Sequence, residues 1–238
     1  MPTSRKPSPE SIKDLVAANR ILFREGVVDG FGHVSVRHEG NPARFLLARN
    51  IAPGTVTAAD ILEYDLDGNP VNARGRSSYL ERFIHGEIYR ARPDVHAVVH
   101  SHSPSVIPFG VTKQPLRPIF HMSGFLGTSV PVFEIREAGG PATDMLIRDR
   151  RLGAALAATL GPAPFALMRG HGAVAVGESI KQAVVRAVYA EVNARLQGEA
   201  LRLGEVNFLN EREAASAAKT IDSVLDRPWD LWKKSVGK

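Results

Sequence analysis

The sequence contains no cysteine among its 238 residues. Disulfide bonds and thiolate metal sites are therefore excluded, and any metal site has to use histidine and carboxylate side chains. Long hydrophobic runs are also missing, since the stretch LGAALAATLG is far shorter than a membrane span. The first residues, MPTSRKPSPES, lack the apolar segment of a secretory signal. We therefore expect a cytoplasmic protein with no membrane partner.

Positive charge is in excess, but it is not concentrated in one segment. The formal net charge is +5 and the isoelectric point is about 9.7. Lysines and arginines are dispersed among acids, as in NEREAASAAK and IRDRR. Nucleic-acid-binding proteins usually carry a basic patch or stripe, which is missing here. The charge pattern therefore predicts no nucleic-acid partner and favours a small anionic ligand.

Hydrophobic periodicity and turn residues predict a single α/β domain over residues 1–238. Ser8 and Pro9 are typical of a helix start, and this helix is expected to stop near Gly26. The predicted strands are HVSVR, FLLA, the alternating segment ILEYDL, HAVVHSH, VPVFEI, FALM and AVAV. Further helices are predicted over Ser77–Ala91, after Ser103–Pro104, in ATDMLIRDRRLGAALAATLG, over Ser179–Leu203, and from about Glu211 towards Trp229 and Trp232.

The segment AVVHSH contains two histidines one residue apart, His100 and His102. Successive side chains of a strand point to opposite faces, so these two imidazoles project from the same face. Both can then reach one metal ion through a ring nitrogen. The alternative is a pair of histidines hydrogen-bonded in or beside the core, and the HxH pattern alone does not decide between the two.

A catalytic metal site usually needs three protein ligands and an open position. His171 lies in MRGHGAV, where the glycines allow a close backbone approach, although an exposed loop histidine is the alternative. Glu81 offers a carboxylate, but the spacing from Ser78 to Glu81 also matches a capping box at a helix start. Further candidates that spacing does not separate are His33, His85 and His121.

Taken together, these segments resemble the class II aldolase/adducin family. The resemblance runs from GFGHVSVR through ERFIHGEIYRARPDVHAVVHSH to LMRGHGAVAVG and the following long helix. It implies a three-layer sandwich, with a central mixed sheet flanked by helices on both faces. It also implies that His100, His102 and His171 bind a divalent metal, Mn²⁺ or Zn²⁺. Glu81 would be a fourth ligand, a catalytic acid/base, or both in turn.

The family further implies a homotetramer whose active sites lie between subunits. Trp229 and Trp232 lie near the C-terminus. They would pack either at a subunit interface or in the core of their own chain.

The residues that hold phosphate in sugar-phosphate aldolases of this family differ here. The glycine-rich turn carries His33 in place of an asparagine, and the second loop reads ARNIAPGTV without the TPTG order. The paired serines Ser77 and Ser78 are separated from the glutamate by Tyr79 and Leu80. These departures argue against phosphate recognition.

Arginines near the same segments, Arg49, Arg74 and Arg76, are suited to pair with carboxylates. Together with PLRPIFHMSGF, they resemble the decarboxylases of the family. That likeness implies an ortho-hydroxy aromatic or heteroaromatic carboxylate as substrate, such as 3-hydroxy-2-methylpyridine-4,5-dicarboxylate of vitamin B6 degradation. The residues expected to bind this small anionic aromatic substrate are His33, Arg49, Arg76, Ser77 and His121.

The expected activity is a metal-dependent carbon–carbon lyase, in which the metal stabilises charge as the bond breaks. One alternative is an aldolase or epimerase of a sugar phosphate. A second is a non-catalytic, adducin-like interaction module. A zinc hydrolase is the least favoured, because HSHSPS lacks the acid that commonly follows HxH in such enzymes.

Overall fold

The computed structural model describes residues 6–71 and 73–237. The helices in this part of the chain are α1 (Pro9–Arg24), α2 (Phe83–Ala91), α3 (Ile107–Val111), α4 (Ile135–Gly139), α5 (Arg150–Leu160), α6 (Ile180–Leu203), α7 (Glu211–Asp222) and α8 (Asp226–Val236). The strands are β1 (His33–Arg37), β2 (Arg44–Ala48), β3 (Ile61–Asp65), β4 (Ala97–Ser101), β5 (Val132–Phe133), β6 (Phe165–Met168) and β7 (Gly172–Gly177). Short 3₁₀ turns span Pro53–Thr55, Ala58–Asp60 and His121–Leu126.

The seven strands form one sheet in the order β3-β2-β1-β4-β7-β6-β5. Neighbouring strands are antiparallel, except for the parallel pair β5 and β6. The register places His33 opposite His100 and Ser101 opposite Ala173. The same edge of the sheet therefore contains the start of β1, the end of β4 and the start of β7.

Helices cover both faces of the sheet. In β4, Ala97 and Val99 join the hydrophobic core that includes α1, α6 and α8, whereas Val98 joins the core formed with α2 and α5. Alternate residues of a strand point to opposite faces, so these are two separate layers of packing. The structure confirms the predicted three-layer sandwich. Trp229 and Trp232 are buried in the first core, so they pack within their own chain.

Two capped helix starts are where the sequence predicts them. The Ser8 side chain accepts a hydrogen bond from the Ser11 backbone N–H at the start of α1. Ser179 accepts from the Gln182 backbone N–H at the start of α6. Each cap satisfies one of the amide donors that a helix leaves without a partner at its N-terminus.

The helix predicted over Ser77–Ala91 begins only at Phe83, so the prediction of its start is wrong. The preceding segment is held by tertiary contacts: the Tyr79 hydroxyl donates to the Ile51 carbonyl, and the Tyr64 hydroxyl donates to Ser78. The capping-box interpretation of Ser78 is therefore wrong as well, and Glu81 is available for another role.

Four other boundaries differ from the predictions. The predicted strand VPVFEI is reduced to Val132–Phe133, and its last residue, Ile135, begins α4. The helix expected from residue 142 begins at Arg150, because Met145 has a φ of +73° that a right-handed helix does not allow. The helix after Ser103–Pro104 begins at Ile107. The segment from Glu211 onward forms two helices, α7 and α8.

None of the helices in residues 6–71 and 73–237 is long and apolar enough to cross a bilayer. The assignment of residues 1–238 to a single domain stays a prediction, and its positions 1–5, 72 and 238 lie outside the described residues.

Candidate metal centre and adjoining cavity

Glu81, His100, His102 and His171 converge at one edge of the sheet, with one potential ligand atom of each within 4.8 Å of the others. The Nε2 atom of His102 lies 3.2 Å from that of His100 and 3.0 Å from that of His171. The Oε2 atom of Glu81 lies 3.6 Å from His100 Nε2 and 3.5 Å from His171 Nε2. Residues far apart in the sequence thus present three imidazole nitrogens and one carboxylate oxygen to a common point.

Backbone geometry allows His171 to reach the strand that carries the other two histidines. A Cβ atom at Gly172 would lie 2.0 Å from the Ser101 carbonyl oxygen, so only glycine permits this approach of β7 to β4. Gly170 has a φ of +64°, which turns the chain just before His171. The glycines flanking His171 have the role that the sequence predicts for them.

Backbone groups behind the ligands fix their orientation. His100 Nδ1 lies 3.2 Å from the Ala173 carbonyl oxygen, and His171 Nδ1 lies 2.8 Å from the Met145 carbonyl oxygen. Each of these ring N–H groups donates to a carbonyl, which directs the other ring nitrogen inward. The Ile147 backbone N–H donates to Glu81 Oε1 over 2.8 Å, leaving Oε2 to face the histidines.

This donor set fits a divalent metal ion. Since Nδ1 of each ring is bonded to a backbone carbonyl, Nε2 is the atom of His100 and of His171 that faces the Glu81 carboxylate. A tetrahedral ion bound at ordinary zinc–nitrogen distances separates its ligand atoms by about 3.4 Å. The observed separations of 3.0–3.6 Å bracket that value. A cation at the centre of the cluster would give all four ligand atoms a common partner.

The protonation states suit metal binding. Burial, together with the neighbouring His100 and His171, lowers the pKa of His102 to about 4, so this ring is neutral at pH 7. Burial alone would raise the pKa of Glu81, but the His100 and His171 rings outweigh it and hold that pKa well below its usual range. Glu81 is therefore a carboxylate, and His102 is in the form that binds metals.

A cavity of about 310 Å³ opens beside the four-residue cluster. It is lined by Gly30, Phe31, Gly32, His33, Asn50, Ile51, Ala52, Tyr79, Leu80, Glu81, His102 and Leu146. Pockets for small ligands are typically a few hundred Å³ in volume, with apolar walls and few polar groups. This cavity matches that description and is large enough for a single substituted ring.

Aromatic and aliphatic side chains form much of the cavity wall. Phe31 is 69% exposed, and its ring centroid lies 6.3 Å from that of His102. Tyr79 stacks at a tilt on His33 with a centroid separation of 4.7 Å, and burial raises the pKa of its hydroxyl to about 12. Tyr79 and Leu80, which follow the paired serines, therefore contribute uncharged surface to this wall.

The structure brings only one of the predicted substrate-binding residues to the cavity in a single chain, namely His33. Arg49 pairs with Asp60 over 2.6 Å, and Arg76 donates to the backbone carbonyls of residues 59 and 73. Ser77 is exposed, and its carbonyl accepts from the Asn50 backbone N–H. His121 lies in a separate surface depression beside α7. Substrate contact by these four residues stays a prediction.

Several residues at the site are not predicted from the sequence. The backbone groups of Met145, Ile147 and Ala173 orient the ligands, but a backbone contact leaves no signature in residue type. Met145 and Ile147 even fall in a segment with a helical pattern. Phe31 could have been predicted, because it lies between two glycines of a turn, and glycines have no side chain to cover its ring.

Comparison with known proteins identifies the family. The model of the class II aldolase and adducin N-terminal domain matches residues 13–198. The chain belongs to the class II aldolase/adducin family, as the sequence motifs predicted.

Relatives and solved structures agree with this assignment. The chain is 37% identical to the decarboxylase tropJ of Talaromyces stipitatus, over 97% of this chain and 95% of the relative. It is 34% identical to a 3,4-dihydroxyphthalate decarboxylase of Arthrobacter keyseri, over 76% of this chain and 75% of the relative. The L-fuculose 1-phosphate aldolase of Glaciozyma antarctica superimposes with a TM-score of 0.79 at 24% identity, covering 98% of this chain and 94% of the aldolase. The family and its named decarboxylases support a lyase.

Proposed function

We propose that this protein is a metal-dependent decarboxylase of ortho-hydroxy aromatic or heteroaromatic carboxylates. The observation that carries the proposal is the cluster of three imidazoles and a carboxylate beside a cavity with largely apolar walls. A sugar phosphate is strongly hydrated and dianionic, whereas this wall offers Phe31, Tyr79 and Leu80. A planar ring with a few polar substituents suits such a wall better.

His100, His102 and His171 would hold the metal, with Glu81 as a fourth ligand, a proton carrier, or both in turn. The ion, Mn²⁺ or Zn²⁺, would supply Lewis-acid stabilisation of the negative charge that develops as the carbon–carbon bond breaks.

Glu81 has the properties of the proton carrier. Loss of carbon dioxide leaves an electron pair on the ring carbon, which then takes up one proton. Glu81 belongs to the four-residue cluster and also lines the cavity, so its carboxylate would be placed to accept the proton of the substrate's ortho hydroxyl and return it to that carbon. The cycle balances, because the hydroxyl supplies the proton that replaces the departing carboxylate.

The named activities of the relatives support this substrate class. 3,4-Dihydroxyphthalate carries a hydroxyl ortho to a carboxylate, as does 3-hydroxy-2-methylpyridine-4,5-dicarboxylate. In both molecules a second carboxylate remains on the ring, and an anionic group of this kind is what Arg49 or Arg76 would pair with. We also propose a homotetramer, in which His121 would reach a cavity only across a subunit interface.

A carbon dioxide release assay on the metal-loaded protein tests the proposal. The panel contains 3,4-dihydroxyphthalate and 3-hydroxy-2-methylpyridine-4,5-dicarboxylate, with phthalate as the matched acid that lacks the ortho hydroxyl. We expect release from one or both hydroxy acids and none from phthalate. Absence of release from every acid would contradict the proposal. Cleavage of L-fuculose 1-phosphate would instead indicate an aldolase, and a protein that binds no metal would favour an adducin-like interaction module.

A further inference from the structure

A chain of hydrogen bonds runs from the cavity wall into the protein interior. His33 Nδ1 lies 2.6 Å from His85 Nε2, and His85 Nδ1 lies 2.6 Å from Ser35 Oγ. Ser35 Oγ in turn lies 2.7 Å from the Tyr89 hydroxyl oxygen. All four residues are buried. The metal cluster and its backbone supports do not use His85, Ser35 or Tyr89.

The secondary structure brings these four side chains together in pairs. His33 and Ser35 are two apart on β1, so they share the face of the sheet that α2 covers. His85 and Tyr89 are four apart on α2, so they lie on one side of that helix. Buried polar groups at this density persist only when each finds a hydrogen-bond partner.

The direction of the chain follows from its inner end. Among the described residues, Ser35 Oγ is the acceptor within hydrogen-bond distance of the Tyr89 hydroxyl. Tyr89 therefore donates to Ser35, because the opposite direction would leave a buried hydroxyl proton without an acceptor. The Ser35 hydroxyl is then directed to His85 Nδ1.

The ring protons of His85 and His33 follow from the same hydrogen bonds. His85 is neutral, since burial lowers its pKa to about 3, so it carries a single ring proton. With Nδ1 accepting from Ser35, that proton is on Nε2 and is donated to His33 Nδ1. His33 Nδ1 accepts this proton and therefore carries none of its own, so the His33 ring is neutral. Its own proton is therefore on Nε2.

We propose that this chain fixes His33 as an Nε2–H donor at the cavity wall, which selects substrates that place an unprotonated oxygen there. The substrate group is a carboxylate or a phenolate oxygen, and a hydroxyl that must donate is rejected. Ser35, His85 and Tyr89 are positioning residues that act through His33. The inference rests on the proposed function for the identity of the substrate, but the protonation pattern is a property of the protein alone.

Nitrogen NMR of the histidine rings tests the protonation pattern without any substrate. The zinc-loaded protein, labelled with ¹⁵N-histidine, is measured at neutral pH, and a His33→Gln spectrum assigns the His33 signals. We expect a protonated Nε2 and an unprotonated Nδ1. A ring protonated on Nδ1, or on both nitrogens, would overturn the proposal, whether or not the protein is a decarboxylase.

Kinetics of Ser35→Ala test the consequence for the substrate. Loss of the Ser35 hydroxyl releases the constraint on His85, so we expect KM to rise about tenfold, with bound metal unchanged and a mixed His33 ring signal. Ser35→Thr, which retains the hydroxyl, should restore KM. Tyr64→Phe is the matched control, since Tyr64 is a buried hydroxyl donor to Ser78 outside the chain.

A purely structural role for Ser35 predicts a different pattern. Ser35→Ala and Tyr64→Phe would then lower the melting temperature alike, with KM and the His33 ring signal unchanged, and the proposal would fail. Should Ser35→Ala not fold, the ring protonation of the wild-type protein still decides the question.

Discussion

Replacing Glu81 by glutamine removes one negative charge from the metal cluster while keeping the size of the side chain. The amide oxygen can still accept the Ile147 backbone N–H that Glu81 Oε1 accepts over 2.8 Å. The amide nitrogen then faces the Nε2 atoms of His100 and His171, where Glu81 Oε2 lies 3.6 and 3.5 Å away. The change is therefore confined to charge and to the ability to carry a proton.

The expected magnitude follows from these two losses. An amide cannot accept the substrate's proton, and a positioned acid/base typically contributes a factor of about 10²–10⁴ to the rate. We therefore expect kcat to fall by at least about 100-fold. Three histidines remain as ligands, so metal binding should weaken by a factor of about 10–100, which excess metal overcomes.

Carbon dioxide release at saturating metal and substrate measures the first effect, and elemental analysis after dialysis measures the second. Ser78→Ala is the control, because Ser78 was the capping partner that the sequence suggested, and its hydroxyl contacts Tyr64 instead. Ser78→Ala should leave kcat within about threefold of the wild type, since Ser78 belongs neither to the metal cluster nor to the cavity lining. Turnover of Glu81→Gln within tenfold of the wild type would refute the proton-carrier role.

Three further predictions concern the wall, the core and pH. Phe31→Ala should raise the KM for a ring substrate about tenfold and leave kcat nearly unchanged. Phe31→Tyr keeps an aromatic ring, so its KM should stay close to that of the wild type. Steady-state kinetics of both variants measure these effects. Arg37→Ala removes the buried guanidinium that donates to the carbonyls of residues 42, 89, 92 and 95. Urea denaturation should therefore show a loss of about 3 kcal/mol in the free energy of unfolding. A loss below about 1 kcal/mol would contradict this prediction. Burial lowers the pKa of His85 from its ordinary value of 6.5 to about 3 in the folded protein, so the unfolded chain binds the extra proton between these values. Stability without metal should therefore fall as pH drops below 6.5, by about 1.4 kcal/mol per pH unit for this residue, and unfolding curves that coincide at pH 7 and pH 5 would contradict the assignment.

The sequence predicts most elements that carry their own local signal. The caps Ser8 and Ser179 mark helix starts, and the FALM and AVAV strands flank the turn that holds His171. The spacing of His100 and His102 places both rings on one side, as their Nε2 separation of 3.2 Å shows. In each case, the determining interaction is between residues close together in the chain.

The errors arise where distant contacts override a local pattern. The residues before α2 have helical spacing, yet Tyr79 donates its hydroxyl to Ile51, and this contact keeps the segment out of the helix. The segment around Met145 also has a helical pattern, but its carbonyl and the Ile147 N–H are used to orient His171 and Glu81. Both of these segments support the metal cluster, and function there competes with helix formation.

The chain of His33, His85, Ser35 and Tyr89 could not be found in the sequence, because its order alternates between a strand and a helix. The register of β1 against β4 and the packing of α2 on the sheet were both needed to bring these residues together.

Calorimetric titration of Mn²⁺ or Zn²⁺ into metal-free protein tests most directly whether the four-residue cluster is a metal site. The wild-type chain should bind one ion per subunit, and His171→Ala should bind at least about 100-fold more weakly while keeping its circular dichroism spectrum. A wild-type protein that binds neither ion, or a His171→Ala variant with unchanged affinity, would contradict the account.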